Sequence, residues 1–183
     1  QPTNSFIENG KLIIKAIKED YSGKEYTSAR LRSLNKGDWL YGRIEVSAKI
    51  PTGRGTWPAI WMLSSDWSYG GWPESGEIDI MEHVGYNPNV IHGSVHTKDY
   101  NHIIGTQKSA SLNIPNATST YHTYAIEWFA DRIDFYIDQY KYFTFNNENS
   151  GWQKWPFDKR FHLILNVAVG GNWGGVQGID VNA

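Results

Sequence analysis

Short alternating runs dominate the chain, and no segment carries apolar residues at the spacing of an amphipathic helix. Ser5-Phe6-Ile7-Glu8 and Lys11-Leu12-Ile13-Ile14-Lys15 flank Asn9-Gly10, a pair that takes positive φ readily at both turn positions, so the pattern predicts a two-residue hairpin. Alternation continues over residues 26–34 and 42–50. In the second run Ile44, Val46, Ala48 and Ile50 share one face, opposite Arg43, Glu45, Ser47 and Lys49. Residues 56–63, much of 121–130 and 161–169 are apolar on both faces, which predicts strands covered on both sides or holding a ligand on one. A second hairpin is expected over 132–145, turning at Asp138-Gln139. Roughly a dozen short strands in one chain predict an all-β fold, a two-sheet β-sandwich of jelly-roll type formed by a single domain over residues 1–183. The connections at 64–75 and 146–156 are long and rich in Gly, Ser, Asn and Trp, which marks them as functional loops.

The segment with the most chemistry is Gly76-Glu77-Ile78-Asp79-Ile80-Met81-Glu82-His83. Residues i and i+2 of a strand share a face, so Glu77 and Asp79 project together while Ile78 and Ile80 turn inward. Strict alternation would bury Glu82 in the core, and an unpaired carboxylate there is costly. One extra residue in the strand, a β-bulge, returns Glu82 to the face of the other acids. Three clustered carboxyls cannot all ionise comfortably, so at least one holds its proton to raised pH. That is the equipment of glycoside hydrolysis. Carboxyls about 5–5.5 Å apart act by retention and about 6.5–9.5 Å apart by inversion.

Composition sharpens this picture. The chain has nine Trp among its 183 residues, 15% aromatic residues and no Cys. Without Cys there is no disulfide, thiol nucleophile or Cys-ligated zinc. Charged residues make up 20% of the chain and the net charge is −2, with no basic stripe, which argues against a nucleic-acid partner. No apolar run approaches the length of a membrane span, and Gln1-Pro2-Thr3-Asn4 lacks the pattern of a signal peptide. Aromatic surplus with low charge suits neutral, hydroxyl-rich ligands. Trp57 and Trp61 share a strand face and Trp72 stands five residues before Glu77, so the acids are expected in a Trp-lined sugar cleft.

The 76–82 segment resembles, in its bulged form, the motif of glycoside hydrolase family 16. Gly55-Thr56-Trp57-Pro58-Ala59-Ile60-Trp61-Met62-Leu63 is similar to the laminarinase (endo-β-1,3-glucanase) branch of that family, and so are Tyr26-Thr27-Ser28-Ala29-Arg30, Gly93-Ser94-Val95-His96-Thr97 and Phe161-His162-Leu163-Ile164-Leu165-Asn166-Val167-Ala168-Val169-Gly170-Gly171. The resemblance implies a jelly roll with substrate along a concave sheet, Glu77 as nucleophile, Glu82 as general acid/base, and Asp79 hydrogen-bonding the nucleophile. It places Arg30, Trp57, Trp61, Trp72, His96 and Trp128 in the sugar subsites. It implies a β-glucan as polymeric partner, retaining endo-hydrolysis, and no metal or cofactor for catalysis. It also raises a structural calcium on the convex face, although the segments that usually supply it, the family's first and last strands, are not matched in this chain. Their absence predicts an open sheet edge, in a fragment or in a sheet completed by another chain, and otherwise a monomer. A polymeric glucan as substrate implies a secreted, periplasmic or cell-surface location.

Three other readings compete. A zinc site from His83, His92, His96 and Glu82 fails on spacing, because His92 and His96 lie roughly 13 Å apart along a strand. His102, His122 and His162 carry no signal. A β-glucan-binding module without catalysis would be expected to lack the acids, which are present here. A relative acting on mixed-linkage glucan or an algal galactan is the third. Trp39, Trp67, Trp152, Trp155 and Trp173 stay open between core, loop and outer subsite. Asn116-Ala117-Thr118 is a glycosylation sequon, a triplet common by chance.

Overall fold

A computed structural model describes residues 2–180. After a 3₁₀ turn at Pro2–Asn4, the strands in chain order are β1 (Ser5–Glu8), β2 (Lys11–Ile14), β3 (Ile17–Tyr21), β4 (Lys24–Thr27), β5 (Arg30–Arg32), β6 (Asp38–Trp39), β7 (Gly42–Ala48), β8 (Thr56–Ser64), β9 (Glu77–Glu82), β10 (Val90–His96), β11 (Lys108–Asn113), β12 (His122–Trp128), β13 (Arg132–Ile137), β14 (Tyr140–Asn146) and β15 (Phe161–Val169). All pairings among them are antiparallel. The larger sheet runs β11-β10-β9-β8-β15-β5, with β6 also on β15, and the smaller runs β14-β13-β12-β7. The two pack face to face, and this is the expected jelly-roll sandwich.

The core lies between the sheets. Met62, Ile78, Ile80, Met81, Ile91 and Val95 come from the larger sheet and meet Ile44, Tyr124, Ile126, Trp128, Ile133, Phe135 and Ile137 from the smaller. Burying such side chains contributes about 1.5–3 kcal/mol each, so the inward faces hold the sheets together. The alternation that the sequence shows over 42–50 survives as β7, with Ile44 buried and Arg43 and Glu45 paired outside. Both expected hairpins form: Asn9 and Gly10 have φ of 49° and 73°, and Asp138 has φ 56° at the turn between β13 and β14.

The alternating run over 26–34 is not one strand. It breaks at Ser28-Ala29 into β4, paired with β3, and β5, at the edge of the larger sheet. Period-two patterning fixes which residues share a face, but not whether the chain changes partner along the run.

Candidate active site

The acids stand on β9, in the middle of the larger sheet. Against β8, Trp61 pairs with Asp79 and Ile60 with Met81, leaving Ile80 as the extra residue; against β10 the register shifts between His92 and Ser94. This is the expected bulge. Ile80 and Met81 both enter the core, at 0% and 1% exposure, and Glu82 returns to the face of Glu77 and Asp79. Glycine makes room opposite it: a Cβ on Gly93 would sit 2.3 Å from the Tyr142 hydroxyl beneath the sheet.

Each outer acid receives an indole N–H. Trp72 Nε1 donates to Glu77 Oε2 at 2.9 Å and Trp57 Nε1 donates to Glu82 Oε1 at 3.0 Å. His96 Nε2 lies 3.2 Å from Asp79 Oδ2 and 4.0 Å from Glu77 Oε1, so this ring sits against the first two acids, and the Glu82 charge also acts on it. Burial pushes Glu77 well above the ordinary carboxyl range, and the neighbouring Asp79 charge adds to it. Burial and the Glu82 charge do the same to Asp79. Glu82 is pushed up to about 7, chiefly by burial, with the Trp57 N–H opposing. His96 is driven down by burial and is neutral at neutral pH. The cluster therefore keeps protons where surface acids have lost theirs, and the two indoles favour anions at its two ends.

Glu77, Asp79 and His96 are also the one group of three among the described residues whose ligand atoms, within 4.8 Å of one another, could share a cation. An ion there would compete with the protons of the acids. His83 stands apart, fully buried with Nδ1 3.0 Å from the Val90 carbonyl, so the four-residue zinc set does not assemble.

A cleft of about 1090 Å³ surrounds the acids. Arg30, Trp57, Trp61, Trp72 and His96 line it, as expected. Trp61 is fixed between the Arg30 guanidinium, 4.5 Å from its ring, and the Asn166 Oδ1 that accepts its N–H at 2.7 Å. Trp128 does not belong there. It lies on β12 in the smaller sheet, is 1% exposed, donates Nε1 to the Phe157 carbonyl at 3.1 Å and packs edge-on against Tyr41 and Phe161. Its strand is apolar inward because it faces the other sheet, and a core tryptophan reads in sequence like a cleft tryptophan.

Two further residues enter the cleft, His102, which carried no signal in the sequence, and Trp173, which the sequence left open between core, loop and outer subsite. His102 enters from the loop after β10, its ring 5.0 Å from Trp72 and 5.2 Å from His96. Trp173 joins the wall by edge-on contacts with Trp57 at 5.5 Å and His92 at 5.0 Å. A glycine-rich stretch (Gly170, Gly171, Gly174, Gly175) frames it, and a Cβ at Gly174 would meet the Gly170 carbonyl at 2.7 Å. Of the remaining tryptophans, Trp155 is core, Trp152 stacks on Tyr69, and Trp39 and Trp67 are partly exposed.

The family model described as "Glycosyl hydrolases family 16" matches residues 2–182. The chain is 54% identical to a beta-glucanase of Rhodothermus marinus, an alignment covering 98% of this chain and 65% of that protein. It is 36% identical to a glucan endo-1,3-beta-glucosidase of Cryptopygus antarcticus, covering 97% of this chain and 69% of that one. The chain thus spans about two thirds of the length of these relatives. The X-ray structure of the laminarinase from Rhodothermus marinus superposes with a TM-score of 0.97 at 52% identity, over 98% of this chain and 74% of that one.

Proposed function

The chain belongs to the glycosyl hydrolases of family 16, and within that family we propose that it cleaves internal β-1,3-glucosidic bonds of laminarin-type glucans with retention at the anomeric carbon. The observation that carries this reading is the bulged strand that sets Glu77, Asp79 and Glu82 on one face, with an indole N–H on each outer acid and four tryptophans around them.

In this reading Glu77 attacks as its anion, which the Trp72 N–H favours against burial and the Asp79 charge, and bonds through an oxygen to the anomeric carbon as the glycosidic C–O bond breaks. Glu82 gives its proton to the leaving oxygen, a task suited to a group that titrates near 7. Water then adds to the anomeric carbon, hands a proton to Glu82 and frees Glu77. Asp79, nearly fully buried beside the nucleophile, is raised by burial and the Glu82 charge, which favours its protonated form and limits the negative charge of the site. Trp57, Trp61 and Trp72 offer faces and edges to pyranose rings, while Asn166, Ser94 and His96 offer polar groups for hydroxyls. The size of the polymer places this work outside the cell, and we take the protein to be secreted.

The test measures reducing ends released from laminarin, lichenan and agarose. The expected order puts laminarin first, with release abolished by Glu77→Ser. Binding of laminarin without release by the wild-type chain would leave only a glucan-binding module, and a faster rate on lichenan or agarose would move the substrate. Proton NMR of laminarin hydrolysis should show the β-anomer first; initial α-anomer would mean inversion and a wrong role for Glu77.

A further inference from the structure

Beyond the acids the cleft continues into a side cavity of about 390 Å³, sharing Arg30 and Leu63 with it and lined further by Arg32, Leu34, Trp67, His162 and Ile164. Arg30 and Arg32 stand two residues apart on β5, so both project from the same face of the edge strand while Leu31 turns inward. Neither guanidinium has a carboxylate within 4 Å among the described residues. Asp38, which pairs with His162 from β6, is already committed, accepting from Ser65 Oγ at 2.6 Å and from the Asn35 N–H at 2.9 Å. Two uncompensated cations side by side are unusual for a chain of net charge −2.

The aromatic wall is equally specific. Trp67 is 39% exposed and has φ 50°, a left-handed backbone that bulky residues rarely adopt. Ser64 Oγ accepts its N–H at 3.1 Å and Gly70 donates to its carbonyl at 3.2 Å, so the turn holds the indole against the cavity. Leu63 and Ile164 supply an apolar floor. An exposed indole beside an apolar floor fits a pyranose face, and paired guanidinium forks match the planar or tetrahedral oxygens of a carboxylate or sulfate. Neutral hydroxyls in the main cleft are served by uncharged groups such as Asn166 and Ser94; Arg30 also stacks on Trp61, and an unsubstituted glucan offers neither guanidinium an anion.

We propose that this side cavity is an outer subsite for a glycan unit bearing an anionic group, a carboxylate or a sulfate ester, held by Trp67 and the guanidiniums of Arg30 and Arg32. The proposal rests on the reading of the main cleft as a β-glucan site, and it makes the protein prefer sparsely charged glucans over neutral ones.

The experiment compares unmodified laminarin, laminarin carboxylated at a small fraction of its primary hydroxyls, and laminarin sulfated to the same low degree. Dissociation constants come from calorimetry with the Glu77→Gln chain, and KM values from the active chain. A charged polymer should bind about tenfold more tightly than the neutral one, as expected for one or two charge-assisted contacts. The arm with the larger ratio identifies the group. Arg32→Ala should bring that ratio close to one, Arg32→Lys should restore part of it, and Lys141→Ala on the opposite sheet should keep it. Equal binding of all three polymers overturns the proposal, and so does a preference that survives Arg32→Ala. Thermal unfolding of the Arg32 variants separates loss of the site from loss of the fold. Hydrolysis of neutral laminarin without any preference would sink the subsite alone, whereas binding of charged glucan without hydrolysis of any would sink the catalytic reading alone.

Discussion

Trp57 donates its indole N–H to Glu82 at 3.0 Å, so a residue of the cleft wall also sets the proton affinity of the proposed acid/base. That hydrogen bond opposes the burial that lifts Glu82 to about 7. Trp57→Phe keeps an aromatic face and removes the donor, and the Glu82 anion then loses its partner. A hydrogen bond to a charged group is worth about 1.5–3 kcal/mol, so the alkaline limb of the kcat/KM profile should move up by about one pH unit, at ~1.4 kcal/mol per unit. A limb that stays in place would remove Glu82 from the acid/base role.

How much of this was legible in the sequence depended on which constraint was local. The bulge at Ile80 could be inferred because Glu82 had to escape the core, and the two-residue turn at Asn9-Gly10 because positive φ favours those residues. Neither needs a distant partner to be known. Trp128 and Trp61 illustrate the opposite case. Both sit on doubly apolar strands, and only the sheet order decides that one faces the core while the other faces the cleft. His102 and Trp173 arrive from loops whose path no periodicity describes. The break at Ser28-Ala29 was hidden because the alternation runs on across it.

The raised acids make stability fall as pH rises. Glu82 has an ordinary value of 4.5 unfolded and about 7 folded. Below 4.5 both states carry the proton and no cost arises. Between 4.5 and about 7 the unfolded chain releases it first, and the folded state loses ground until both are ionised. The full difference is on the order of 3 kcal/mol. Glu82→Gln keeps the shape and an acceptor for Trp57 while removing the charge. Its Tm should match wild type at pH 4 and exceed it at pH 8 by roughly 5–10 °C. Its activity should fall by about 10²–10⁴-fold, the ordinary contribution of general acid/base catalysis. Equal Tm values at pH 8 would show that Glu82 is not held in its protonated form.

Asp79 separates two ways for a buried acid to help. If it works with its proton on, Asn copies that form, since an amide can also donate a hydrogen bond. Asp79→Asn should then lose about tenfold in kcat, and Asp79→Ala, which offers no donor at all, at least tenfold more. If Asp79 works as an anion, both variants should fall equally far. Measuring the two kcat values at the pH optimum decides between them.

Trp128 and Trp61 should fail in opposite ways. Trp128 is fully enclosed and donates to the Phe157 carbonyl, so Trp128→Phe leaves that buried oxygen unpaired and opens a small void. The expected cost is about 1–3 kcal/mol, read as a Tm lowered by several degrees with KM within twofold of wild type. Trp61 borders the cleft, and its ring is held by Arg30 and Asn166 without being part of the inter-sheet core. Trp61→Phe should leave Tm within about 2 °C, because it removes little packed volume, and should raise KM on laminarin about fivefold to tenfold through loss of stacking area. Swapped outcomes, with KM moving for Trp128 and Tm for Trp61, would place the substrate against the wrong sheet.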